Sequence, residues 1–374
     1  MRFEHVGLAV IAVTLPEERL TSSAIESQLA PVYERLRLPP GRLELMSGIF
    51  ERRCFPSGTW PGVVSIATAD AALNSIPLER RDVGCLIHAS VCRDFLEPAT
   101  ASRVHAGLGL STDCWVYDLS NACLGLLNGA VQIAHLIEHQ VISAGIVVGT
   151  EQSRPLLETT IASLLADQSL TRQSIKPAFA SLTIGSASCA WVLVDRRRWP
   201  NTSRLEVAVA RADTQHFGLC ASESDQAGEA MAPLMETDAE ALLEAGLQTG
   251  AANFETLTSQ AGWSRAEIDR TVCHQVGSRH RAQMLERFQL GRERDSITYP
   301  WLGNTGSVAL PVTLAAAARY GQVQSNDAVA LLGIGSGINS VMLGVRWGET
   351  AIAGNLPETD PLRTGPSPAD VDGG

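Results

Sequence analysis

Cys123 is the residue whose type and setting promise chemistry. It lies in the segment Asp118-Leu-Ser-Asn-Ala-Cys-Leu-Gly125, between a strand-like run that starts at Cys114 and a long helix-like run, Leu124–Ile137. A thiol at the junction of a strand and a helix N-terminus feels the positive end of the helix dipole, which favours the thiolate. Thiolates attack thioesters, and two assistants follow in the chain: His274 in Val-Cys-His-Gln-Val and Asn304 in Trp-Leu-Gly-Asn-Thr-Gly-Ser. Cysteine, histidine and asparagine in this order, each at the end of an apolar strand-like segment, point to acyl transfer.

Each of these residues also has an ordinary structural use. A lone cysteine is usually a small buried hydrophobe, but Ser120, Asn121, Ala122 and Gly125 leave a substrate room to approach Cys123. His274 is suited to act as a base or as an Nε2–H donor to a developing oxyanion. His88 and His280 show that histidine is not rare here. The carboxamide of Asn304 donates hydrogen bonds without ever ionising, although Gly-Asn-Thr-Gly is also ordinary turn chemistry. Glu97, just before a proline in a loop after a buried strand, has the chemistry of a base for carbon acidity, a task that needs an enclosed site. Gly333 to Asn339 has the look of a dinucleotide loop, but a second strand-like run, Val341–Val345, follows instead of a helix. A hairpin is the better expectation, and one of its amides would complete an oxyanion hole with the amide of Cys123.

These residues need a scaffold of alternating strands and helices, an α/β architecture. The chain matches itself across its two halves. Leu78–Ser90 runs from a charged helix end into a strand, as Ser264–Val276 does; Cys123 and its helix match Asn304 and the run Val308–Tyr320; Ala144–Gly149 matches Ala328–Gly333. Residues 1–195 are therefore expected to form one half, with an insertion at about 150–182, and 204–347 the other, the boundary falling in the charged stretch Asp195–Ser203. Residues 221–262 are expected to be mostly helical, with Met231, Leu234 and Met235 spaced for a buried face. From Gly348 to Gly374 the composition predicts a disordered tail.

The bulk numbers exclude several functions. A net charge of −11 argues against nucleic acid, which needs a concentrated basic surface. The eight cysteines include no Cys-x-x-Cys pair, so a zinc site lacks its usual ligands, and their scatter favours a reducing cytoplasm. Val6–Leu15 is expected to be a first strand, not a signal peptide, and no run reaches the roughly 18 apolar residues of a membrane span.

The motifs resemble the thiolase superfamily and, within it, the ketoacyl synthase III group; the likeness covers about Met1 to Trp347. It rests on Ser90–Ser102, Asp118–Cys123, His274–Val276, Gly303-Asn304 and Leu331–Gly337. The Arg-Asp-x-x-Glu-Pro run in the first of these points to the olefin-biosynthesis (OleA-like) branch, which joins two acyl-CoA molecules head to head. The resemblance implies a five-layered αβαβα fold, an obligate homodimer, coenzyme A thioesters as substrates and no permanently bound cofactor or metal. It implies that Cys123 is acylated, and that His274 and Asn304 hold the enolate-like oxygen of the second thioester. The amides of Cys123 and Ser336 would stabilise tetrahedral intermediates, and Glu97, reaching in from the partner subunit, would remove the α-proton. The product would be a β-keto acid. The chain departs from the group's His-Gln-Ala-Asn at Val276 and Gly277, and from the branch's proline at Ser307. The alternatives are a decarboxylating synthase using malonyl carrier protein, an acyltransferase or thioesterase of the same fold, and a silent subunit.

Overall fold

Both faces of most strands are buried, which is why their sequences read as unbroken apolar runs, not alternating ones. The computed structural model describes residues 1–222 and 235–364. In chain order the strands are β1 (Val6–Thr14), β2 (Glu18–Thr21), β3 (Glu51–Cys54), β4 (Cys85–Ala89), β5 (Trp115–Leu119), β6 (Ala144–Glu151) and β7 (Ala187–Asp195). There follow β8 (Ser203–Ala212), β9 (Cys220–Ser222), β10 (Met235–Thr237), β11 (Arg270–Cys273), β12 (Ala328–Gly335), β13 (Asn339–Arg346) and β14 (Ala351–Gly354). The main sheet runs β11-β12-β13-β8-β1-β7-β6-β4-β5, with β14 also paired to β1.

Successive side chains sort the layers. In β7, Cys189, Trp191 and Leu193 face the helices Gly125–Glu138 and Ala309–Arg319. Their neighbours Ala190, Val192 and Val194 face the helices Pro61–Leu73 and Thr100–Leu108. In the other half Leu331 and Leu343 point to the same central pair, while Leu332 and Met342 meet the helices Ala239–Ala261 and Ser278–Phe288. Helix, sheet, helix, sheet and helix therefore alternate, the central helices being shared by both sheet halves.

The halves repeat each other in pairing as well as in order. β4 and β6 are parallel, as are β11 and β12. β6–β7–β1 and β12–β13–β8 are both antiparallel. Where β5 flanks β4, the second half keeps only an isolated parallel bridge between Thr271 and Asp295. The halves touch edge to edge at Gly7 and Leu8 against Arg204 and Ser203.

Two expectations are corrected. Gly348 onward is not a structureless tail over its described part: Ala351–Gly354 pairs in parallel with Val10–Val13, covering the edge of β1 that β8 leaves, and Leu356 is buried. An open strand edge is a strong template, and a low-complexity segment with a few small apolar residues is enough to pair with it. Truncation after Trp347 is expected to lower the thermal midpoint by at least about 5 °C; an unchanged midpoint would show β14 to be dispensable. The second correction concerns 221–262. Met235 starts a strand paired with β9, and the helix begins only at Ala239, capped by Asp238, whose side chain accepts from the Ala241 N–H. Met231 and Leu234 lie outside the described residues.

Candidate active site

Cys123 sits on a strained elbow. Ala122 before it has φ 44°, a left-handed conformation that costs a non-glycine residue energy and tends to mark functional turns. The central helix begins at Gly125, and its start packs against the β12–β13 hairpin. A side chain at Gly335 would stand 3.6 Å from the Cβ of Cys123 and 3.1 Å from Leu124, so glycine there lets the nucleophile approach the hairpin. The hairpin expected from the sequence is present: Gly335 pairs with Asn339, and Ser336 lies in the turn. Asn339 locks this turn to the elbow by donating to Asn121 Oδ1 (3.1 Å) and to the Ser336 carbonyl (3.2 Å). The turn of Ser336 is thus held beside Cys123.

His274 follows β11 and donates its backbone N–H to Leu332 of β12. Its ring is buried, and Nε2 has no partner among the described residues. Burial drives its pKa down to about 3, with His280 adding to the effect, so the imidazole is neutral at physiological pH. Asn304 heads the second central helix, and its Oδ1 accepts from the Gly306 N–H at 3.0 Å. That bond orients the carboxamide with its NH2 left to donate. The two helix starts approach closely: a Cβ at Gly125 would lie 3.7 Å from the Cβ of Ser307. Cys123 and Asn304 therefore occupy equivalent joints that face each other, as the repeat suggested.

The thiol differs from its expected state. Burial pushes Cys123 up to about 12, and Cys220 and Glu151 push in the same direction. Desolvation of the sulfur outweighs the helix dipole, so Cys123 rests as a thiol and His274 as a neutral imidazole. The sign is testable. Because burial disfavours the charged form, alkylation of Cys123 by iodoacetamide should remain slow at pH 8 and climb about tenfold per pH unit towards pH 10. Peptide mapping that places the midpoint below pH 8 would contradict this.

Among the described residues Glu97 forms no hydrogen bond or ion pair with Cys123, His274 or Asn304. It is exposed, on the segment 91–99. The segment itself is well held. Asp94, buried, accepts from Gly62 N–H at 2.7 Å and pairs with Arg103 at 2.8 Å. The Arg103 guanidinium lies 5.0 Å from the Trp60 ring centroid and 4.9 Å from that of Phe95.

Two side chains that sequence reasoning passed over complete the site. Gln275, buried, donates to Cys273 O and accepts from Thr298 and Tyr299 N–H, tying the His274 turn to the stretch that leads to Asn304. Glu151, at the end of β6, gathers donors from two loops; its position in an apolar strand ending in Gly-Thr-Glu was the available signal. All eight cysteines are free, and Cys85, Cys189 and Cys273 are buried as expected of small core residues. Among the described residues no cluster of three or more His, Cys, Asp or Glu side chains is arranged for a metal.

The family described as 3-oxoacyl-[acyl-carrier-protein] synthase III, C-terminal, matches residues 258–347. The acyl-CoA:acyl-CoA alkyltransferase of Shewanella oneidensis is 38% identical over 93% of this chain and all of its own length. Its namesake from Xanthomonas campestris is 31% identical over the same shares. A β-ketoacyl-[acyl-carrier-protein] synthase III from Dinoroseobacter shibae is 24% identical over 89% of this chain and 96% of its own. Solved structures of Xanthomonas campestris OleA superpose with a TM-score of 0.87 at 30% identity, covering 93% of this chain and 98% of theirs. They include forms with a cysteine, a histidine or a glutamate replaced, and one with lauric acid and lauroyl-CoA bound. The chain belongs to the ketoacyl synthase III-like, thiolase-fold family of condensing acyltransferases, in the group of the acyl-CoA:acyl-CoA alkyltransferases.

Proposed function

We propose that this condensing enzyme joins two acyl-CoA molecules through an acyl-Cys123 intermediate, without decarboxylation. The observation that carries the reading is the meeting of the Cys123 elbow, the Asn304 turn and the Ser336 hairpin at the facing starts of the central helices, with a neutral His274 on the strand beside the hairpin. In the first half-reaction Sγ of Cys123 attacks the thioester carbon, the bond from carbon to the CoA sulfur breaks, and the thiol proton ends on the released CoA. The amides of Cys123 and Ser336 donate to the tetrahedral oxygen. The second acyl-CoA then presents its carbonyl oxygen to His274 and to the Asn304 NH2. Glu97 takes an α-proton, and the resulting carbanion attacks the acyl-Cys123 carbon. The bond from that carbon to Sγ breaks and the sulfur regains a proton. Hydrolysis of the β-ketoacyl thioester by one water gives the β-keto acid and CoA.

Glu97 is assigned to the partner subunit of a homodimer. Support comes from β5, the edge strand of the sheet, whose Trp115 and Val116 are 56% and 37% exposed, and from Val91 and Leu96 on the Glu97 segment, 54% and 67% exposed. Open apolar edges of this kind are usually paired. A cytoplasmic location fits a thiol nucleophile that must stay reduced, and no described helix is long and apolar enough to cross a membrane. The second reading, a decarboxylating synthase fed by an acyl carrier protein, is disfavoured by Val276-Gly277 where that group has Ala-Asn. Fatty acyl-CoA alone should yield β-keto acid; product formed only with malonyl carrier protein, with release of the labelled malonyl carboxyl as CO2, would favour the second reading.

A further inference from the structure

Glu151 is 5% exposed, and among the described residues its carboxylate is met by donors. Oε1 accepts from Val91 N–H at 3.1 Å, from Ser307 N–H at 3.3 Å and from the Ser307 hydroxyl at 2.5 Å; Oε2 accepts from Cys92 N–H at 3.4 Å. No arginine or lysine pairs with it among the described ion pairs. A buried carboxylate without a cation is costly unless hydrogen bonds replace its water, and four donors do so here.

The donors belong to two different loops. Val91 and Cys92 open the segment that carries Glu97. Ser307 follows Gly306, whose N–H holds the Oδ1 of Asn304. Gly306 has φ 56°, and a Cβ there would stand 3.1 Å from Cγ and Cδ of Glu151, so the turn wraps closely over the carboxylate. One side chain thus sets the Asn304 turn against the root of the Glu97 segment.

We propose that Glu151 is a positioning residue for the condensation step, fixing the Asn304 turn of its own site and the root of the segment that carries Glu97 into the partner's site. The proposal rests on the roles given above to Asn304 and Glu97. Glu151 contacts neither Cys123 nor the hairpin amides used by the first half-reaction, and bears on that step only through its charge near the thiol. An ångström of misplacement costs on the order of 100-fold in a reaction that depends on orientation.

Glu151→Gln is the test. Glutamine keeps the size but turns one acceptor into a donor, so one of the facing N–H groups loses its partner. Formation of acyl-Cys123 from lauroyl-CoA, followed by intact mass, should stay within about threefold of wild type, while turnover of the preformed acyl-enzyme to product falls about 10- to 100-fold. Alkylation of Cys123 should shift to lower pH, because a neighbouring negative charge has gone; the selective loss of condensation over acylation is the signature that a purely structural role would not produce. Ser307→Ala, a milder change, should show the same selective loss to a smaller degree, and the double variant should be no worse than Glu151→Gln alone. Condensation at the wild-type rate in either single variant would overturn the proposal. So would acylation and condensation falling together in step with thermal stability. If Glu151→Gln does not fold, Ser307→Ala decides by the same criterion. The wild-type control separates the two levels: with acyl-enzyme and product formed there, a failure in the variants belongs to Glu151 alone, whereas a wild type that never acylates Cys123 removes the underlying reading and this one with it.

Discussion

Replacing Cys123 by alanine is expected to lower condensation by at least about 10⁴-fold, the scale of loss seen when a covalent nucleophile is removed. No acyl adduct should remain on the protein after incubation with acyl-CoA. The fold should survive, because removing one sulfur atom from Cys123 opens little volume; a stability change of about 1 kcal/mol is the expected scale. A Cys123→Ala protein that still carries an acyl group, on Cys92 or Cys220 for instance, would move the nucleophile elsewhere.

Glu97→Ala should separate the half-reactions. Acylation of Cys123 is expected to proceed within about twofold of wild type, while condensation drops by about 10²- to 10⁴-fold, the usual contribution of a positioned base. The acyl-enzyme should therefore accumulate. Because Glu97 is exposed on its own chain, its removal should leave the fold of that chain in place. Mixing the two variants locates the residue. If Glu97 serves the partner's site, a randomly mixed dimer of Cys123→Ala and Glu97→Ala chains contains one complete site, and activity should return to about a quarter of wild type. No recovery on mixing would place Glu97 in its own chain's site, and normal condensation by Glu97→Ala would remove it from the mechanism.

The parts that sequence conveyed are those governed by local pattern. Apolar runs such as Ala144–Gly149 and Ala328–Gly333 are strands because only a sheet buried on both faces uses such runs at that length, and their repetition placed Cys123 and Asn304 at matching joints. The hairpin at Ser336 was legible because a second apolar run follows its glycines. What escaped depends on long-range partners. β14 is a strand only because β1 offers an edge more than 300 residues away in sequence, as the bond of Leu15 N–H to Asn355 Oδ1 across 340 positions illustrates. Met235 belongs to a strand because Cys220 and its neighbours supply the ladder. Glu151 and Gln275 reveal their use only through donors brought from other loops. The acidity of Cys123 escaped for a related reason: the helix start is local and visible, whereas desolvation and the charge of Glu151 come from the assembled interior.

Stoichiometry with a single substrate tests the central claim most directly. Lauroyl-CoA supplied alone should be consumed in pairs, two molecules of CoA appearing for each β-keto acid (or the ketone it decays to), with acyl-Cys123 as the only covalent species on the way. One CoA per free lauric acid, with no carbon–carbon coupled product, would contradict it and leave the chain a thioesterase.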